Sequence, residues 1–144
     1  MVDIKFKTLD DYAKVPEYKT PGAAGADLYS VENRDIRPGE VCAVSLGFSI
    51  AIPEGYEVQV RSRSGLALKE QVIVLNSPGT IDSDYRGPMM AILANLGKKT
   101  FFVSKGDRVA QMVVNKVETA NFQSVEELNE TDRGEGGFGS TGVS

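Results

Sequence analysis

Short apolar or alternating stretches, separated by glycine- and proline-containing turns, run through most of the chain. Val2 to Lys7 alternates apolar and charged residues, the period of a half-buried strand. Leu9 to Lys19 is mixed, and Pro16 breaks any helix there. A small, glycine-rich segment from Thr20 to Ala26 leads into the extended Asp27-Leu28-Tyr29. Arg37-Pro38-Gly39-Glu40 reads as a turn. Val41 to Ile52 is strand-like, interrupted at Gly47 and closed by Pro53-Glu54-Gly55. Tyr56 to Arg61 alternates again. Ser64 to Glu70 is the best helix candidate, with Ser64 placed to cap it. Val72 to Leu75 and Met89 to Asn95 are apolar strands flanking a polar loop from Asn76 to Gly87. Thr100 to Val103 and Arg108 to Glu118 complete the strands. Many short strands with turns about every ten residues predict an all-β barrel or jelly roll.

The end of the chain differs in kind. Arg133 to Ser144 holds five glycines and few large apolar side chains, so it cannot build a core of its own. This divides the chain into a β domain over 1–129 and a flexible glycine-rich arm over 130–144.

Composition narrows the chemistry. The 144 residues favour one domain with a real core. At 41% hydrophobic and 25% charged, the chain reads as an ordinary soluble protein. A net charge of -4 argues against a general nucleic-acid binder. The alternation at the N-terminus fits neither a signal peptide nor a membrane span, and a cytoplasmic or otherwise intracellular location is the simplest reading. There is no histidine, which removes histidine-based catalysis and histidine metal sites. The single cysteine, Cys42, lies in an apolar strand pattern and reads as a small core residue; no intrachain disulfide or zinc–thiolate cage is possible.

Three stretches carry candidate chemistry. Asp82 and Asp84, two apart, predict side chains on one face of extended chain. They suit either turn capping or a carboxylate base or magnesium site acting on phosphates. Arg61-Ser62-Arg63-Ser64-Gly65, at the start of the predicted helix, is either an anion site or a solvated turn. The glycine-rich tail nearly fits a P-loop, but Ser140 stands where the lysine belongs and no helix can follow. It is either a disordered tail or an arm that closes on a ligand. Arg133 and Phe138, which a plain linker does not need, favour the arm.

Five segments in this order closely resemble the motifs of the trimeric dUTP diphosphatase (dUTPase) family. They are Ala24-Gly25-Ala26-Asp27-Leu28, Arg63-Ser64-Gly65-Leu66-Ala67, Gly79 to Gly87, Gly106-Asp107-Arg108-Val109-Ala110-Gln111, and Arg133 to Gly142. Five in register are very specific. Two positions depart from the family pattern: Ser62, where proline is frequent, and Pro88, where an acidic residue is frequent.

The resemblance implies a distorted β-barrel or jelly-roll-like fold with one short helix. It implies hydrolysis of dUTP to dUMP and pyrophosphate with Mg2+, limiting uracil in DNA and supplying dUMP for dTMP synthesis. It implies a homotrimer with shared active sites, each closed by a neighbour's arm, with no nucleic-acid or membrane partner. By position, Asp82 resembles the general base and Tyr85 the aromatic under deoxyribose. Asn76, Thr80 and Ile81 resemble the uracil-reading hairpin, and Met90 a further substrate contact. Arg63, Ser64, Gly65 and Gln111 resemble phosphate contacts. Arg133, Phe138, Gly139, Ser140 and Thr141 resemble the closing arm, with Phe138 over the base. Asp27 resembles the carboxylate that meets magnesium through water, the ion being held mainly by the triphosphate. Asp84 then reads as structural, paired with Arg86 or nearby backbone. Two rival readings are a dCTP deaminase, which shares the fold but needs a glutamate in a proline-glycine-aromatic context, and a nucleotide-sensing module that keeps the pocket without turnover.

Overall fold

A computed structural model describes residues 1–144. In chain order the strands are β1 (Lys5–Thr8), β2 (Ala26–Tyr29), β3 (Arg34–Ile36), β4 (Val41–Ser45), β5 (Phe48–Ala51) and β6 (Tyr56–Arg61). One helix, α1 (Ser64–Glu70), follows, and then β7 (Val72–Val74), β8 (Gly79–Ile81), β9 (Met90–Asn95), β10 (Phe101–Val103) and β11 (Arg108–Lys116). The strands form four antiparallel sheets, ordered β2-β11-β6-β8, β4-β9-β7, β1-β5 and β10-β3. Partners distant in sequence, such as β2 and β11, make this a jelly-roll-like all-β fold. The sheets stay open; no closed barrel forms. No helix is long and apolar enough to cross a membrane.

The alternation seen in the sequence becomes the core. In β4, Cys42 and Val44 point inward while Val41 and Ala43 stay exposed, and in β6 Val58 and Val60 are the inward pair. Phe48 is fully buried and stacks on Phe6 with ring centroids 4.6 Å apart. Cys42 is a free, buried core residue, as its strand pattern implied. Gly47 splits the long apolar run into β4 and β5 because the backbone there sits at φ +78°. A Cβ at Gly47 would come within 2.7 Å of the Val31 side chain, so both conformation and space require glycine. Its carbonyl then accepts the Leu9 and Asp10 amides at 2.8 and 3.1 Å, anchoring the segment after β1. The buried Asn95 is satisfied on every side. It donates to the carbonyls of Ile36 and Lys99, each at 2.8 Å, and accepts the Gly97 amide at 2.9 Å. Bonds of this kind contribute about 1 kcal/mol each and cost more when broken in the interior.

Several sequence expectations need correction. Ser64 is the first helical residue rather than the cap. Arg63 occupies the cap position in extended conformation, with no side-chain capping bond. The helix closes at Gln71, which is left-handed at φ 54° and returns its amide to the Leu66 carbonyl. The loop from Asn76 to Gly87 is not all turn, since it contains β8, paired to β6 in the register Gln59↔Thr80. The charged β3 was also missed.

Beyond β11 the Val117 amide donates to the Gly55 carbonyl at 2.9 Å, the last backbone bond to the body of the domain. Every residue from Glu118 to Glu135 is exposed. The hydrogen bonds of residues 131–142 are local turns, and Phe138 is wholly in solvent.

Candidate active site

Two cavities gather most of the singled-out residues. The first is a cleft of about 330 Å³ beside β8, lined by Asn76, Thr80, Ile81, Asp82, Tyr85 and Met90 over an apolar wall that includes Val60 and Ile92. Its shape follows from the chain path. The chain leaves β7, passes a cis Ser77–Pro78 bond, and pairs as β8 with β6. β8 is the outermost strand of its sheet, so one edge keeps backbone N–H and C=O groups free for a ligand. A tight turn follows, closed by the Tyr85 amide on the Asp82 carbonyl at 3.1 Å. The Tyr85 hydroxyl donates to the Pro88 carbonyl at 3.0 Å and fixes the ring. Ser49 on β5 holds the loop's end by donating to the Gly87 carbonyl at 2.9 Å.

Because residues 82–85 turn, Asp82 and Asp84 do not share an extended face. Asp82 lines the cleft, whereas Asp84 opens only onto a broad polar hollow beside Glu54 and Glu57, which Asp82 also borders. Asp84 pairs with neither Arg86 nor a nearby backbone amide, the two partners expected of it. Arg86 donates instead to the carbonyls of Ser83 and Tyr85, at 2.6 and 3.1 Å.

The second cavity, about 270 Å³, lies where β2, β11 and the start of α1 meet, and is lined by Asp27, Arg63, Ser64, Gly65, Arg108 and Gln111. Asp27 is buried and braced by two guanidinium groups, Arg108 at 3.1 Å and Arg63 at 3.6 Å. Arg63 also donates to the Arg108 carbonyl at 3.2 Å. Gln111 donates to the Ser62 carbonyl at 3.1 Å. A Cβ at Gly25 would overlap the Gln111 amide, so glycine leaves room for that side chain. Lys19 joins the rim. Its ammonium lies 2.9 Å from Glu17, whose carboxylate holds it charged above the usual lysine range, while Lys19 in turn pulls Glu17 below the usual carboxylate range.

Sequence reading gave no role to Lys19 or Arg108. Arg108 and Gln111 are three apart, a spacing that would put them on opposite faces of a regular strand. A bulge between Arg108 and Ala110 brings both to the same cavity. An irregularity of that sort leaves no periodic trace. Arg133, Phe138, Gly139, Ser140 and Thr141 line neither cavity. Arg133 donates instead to the Gly136 carbonyl at 2.7 Å.

No group of three or more carboxylate or thiolate side chains could hold a metal on its own. Asp27 is a lone carboxylate with both oxygens already facing arginines. That donor set fits a hydrated magnesium arriving on phosphates, touched through water, and not a protein-built cage.

A half-apolar cleft with an exposed strand edge, and a separate cationic cavity rich in N–H donors, suit a ligand that carries both a flat polar ring and anionic groups. A family profile for dUTPase matches residues 11–142. The deoxyuridine 5'-triphosphate nucleotidohydrolase of Helicobacter pylori (strain P12) is 54% identical over 141 residues, covering 98% of this chain and 97% of that protein. The enzyme of the same name from Alkaliphilus metalliredigens (strain QYMF) is 51% identical, with 99% of each chain covered. Among solved structures, a G164S mutant of the Staphylococcus bacteriophage 80alpha dUTPase with dUpNHpp superposes with TM-score 0.92 at 27% identity, covering 98% of this chain and 99% of that one. The chain belongs to the dUTPase family.

Proposed function

We propose that the chain hydrolyses dUTP to dUMP and pyrophosphate, with Asp82 activating a water for in-line attack on the α-phosphorus. What carries this reading is the position of Asp82 directly after the edge strand β8, in the lining of the cleft. The backbone of Thr80 and Ile81, with Asn76, matches its donors and acceptors to uracil. Cytosine would leave these groups unpaired, a discrimination of about 10⁴-fold or more where a polar edge is read by hydrogen bonds. The Tyr85 ring packs under the sugar and leaves no room for a 2′-hydroxyl, while Met90 supplies a further contact. Asp82 orients the water and takes its proton, and the water oxygen bonds to the α-phosphorus as pyrophosphate departs. Arg63, Ser64, Gly65 and Gln111 donate to the phosphates. Asp27 would meet Mg2+ through its waters, and that ion, carried by the triphosphate, would draw off charge as pyrophosphate leaves.

The active form proposed is a homotrimer. The cleft and the phosphate cavity of one chain have no lining residue in common, and the arm touches neither. These halves are completed by neighbours, with Arg133, Gly139, Ser140 and Thr141 closing on phosphate and Phe138 on the base. The domain then spans 1–129 and the arm 130–144. In the intracellular setting proposed, the reaction would keep uracil out of DNA and supply dUMP for dTMP synthesis.

Pyrophosphate release measured across dUTP, dCTP, dTTP and UTP with magnesium tests reaction, base and sugar together. Release from dUTP alone is expected. Ammonia from dCTP, or binding of dUTP without turnover, would overturn the reading.

A further inference from the structure

Ser62 spends each of its polar groups on a different neighbour. Its hydroxyl accepts the Val74 amide at 2.8 Å. Its own amide donates to the Ser77 hydroxyl at 3.3 Å, and its carbonyl accepts Gln111 at 3.1 Å. Val74 ends β7, the outer strand of its sheet, where alternate amides have no strand partner. The Leu75 amide points inward to the Ile92 carbonyl at 2.8 Å, so the Val74 amide points outward, where only the Ser62 hydroxyl meets it. Ser77 lies beside Asn76, immediately ahead of β8. Ser62 itself adjoins Arg63 and Ser64 of the phosphate cavity. One residue thus ties the entry of the base-reading hairpin to the phosphate loop and to Gln111.

We propose that Ser62 is a positioning residue for uracil selection, holding the Asn76–Ile81 hairpin in register with the loop that carries Arg63. The inference rests on the dUTP reading above. A proline at this position would lack both the hydroxyl and the amide that make two of these bonds. Loss of the hydroxyl leaves the Val74 amide without a partner and frees the segment from Val74 to Ile81. The cleft then fits uracil less well, and cytosine is disfavoured less.

The test compares Ser62→Ala, Ser62→Thr and wild type in pyrophosphate release from dUTP and dCTP, with amide hydrogen exchange over residues 74–81. Wild-type turnover of dUTP establishes the underlying reading first; its absence would overturn both. Given that turnover, Ser62→Ala is expected to raise KM for dUTP about tenfold, the cost of one unpaired buried amide, with kcat little changed. The dUTP-over-dCTP preference is expected to fall, and the amides of residues 74–81 to exchange faster. Ser62→Thr, which keeps the hydroxyl, is expected to restore all three. An unaltered KM and preference in Ser62→Ala would sink the proposal. So would a fall in kcat alone, or a threonine variant that behaves like alanine.

Discussion

Replacing Asp82 by asparagine is expected to leave dUTP binding intact and to lower turnover by about 10²–10⁴-fold, the range of a positioned general base. The substitution is nearly isosteric, and nothing structural depends on the carboxylate. The turn is held by the Tyr85 amide on the Asp82 carbonyl and by Arg86 on the Ser83 and Tyr85 carbonyls. The side chain is exposed at the cleft, and it ion-pairs with neither Arg86 nor Arg63. The asparagine amide can still hold a water but cannot accept its proton. Single-turnover pyrophosphate release, alongside binding of a non-hydrolysable dUTP analogue, separates the two steps. Full turnover in Asp82→Asn would remove Asp82 as the base.

Deleting the residues after Asp132 is expected to leave thermal stability unchanged and to reduce turnover by at least about a hundredfold, the scale on which misplaced reacting groups slow catalysis. The stability half of this follows from packing. The segment buries no side chain, its turns bond only within residues 131–142, and Phe138 faces solvent. The activity half follows from the arm role proposed above: Arg133, Ser140 and Thr141 carry polar donors yet line neither cavity of their own chain. Thermal denaturation and pyrophosphate release on the same preparation give both numbers. A truncated chain with full activity would refute the arm.

Much of the fold is legible in the sequence alone. Ser64 to Glu70 forms the one helix, and the alternation of Val41 to Ser45 and Tyr56 to Arg61 sets which side chains enter the core. What escaped has a physical pattern. β8 is three residues long and lies among Gly, Thr and Asp, so its strand character comes from pairing with β6 and not from its composition. β3 is charged and short, and forms against β10 for the same reason. Arg108 reaches the cationic cavity through a bulge, and Lys19 through a loop whose backbone pairs at Glu17 with Asp27. The Asp82–Asp84 pair misled because spacing by two implies a shared face only in extended chain, and the chain turns there. Motifs locate residues along the chain; bulges, turns and edge strands decide which cavity each one enters.

The separation of the two cavities reaches into genetics. In the shared assembly proposed, each chain lends its Asp82 cleft, its phosphate cavity and its arm to more than one site. A chain crippled at Asp82 and a chain lacking its arm are then damaged in different places. Co-assembled, they leave some sites with every part intact. Two alleles that are each null alone would complement one another in the same cell. Two alleles that both remove Asp82 would not.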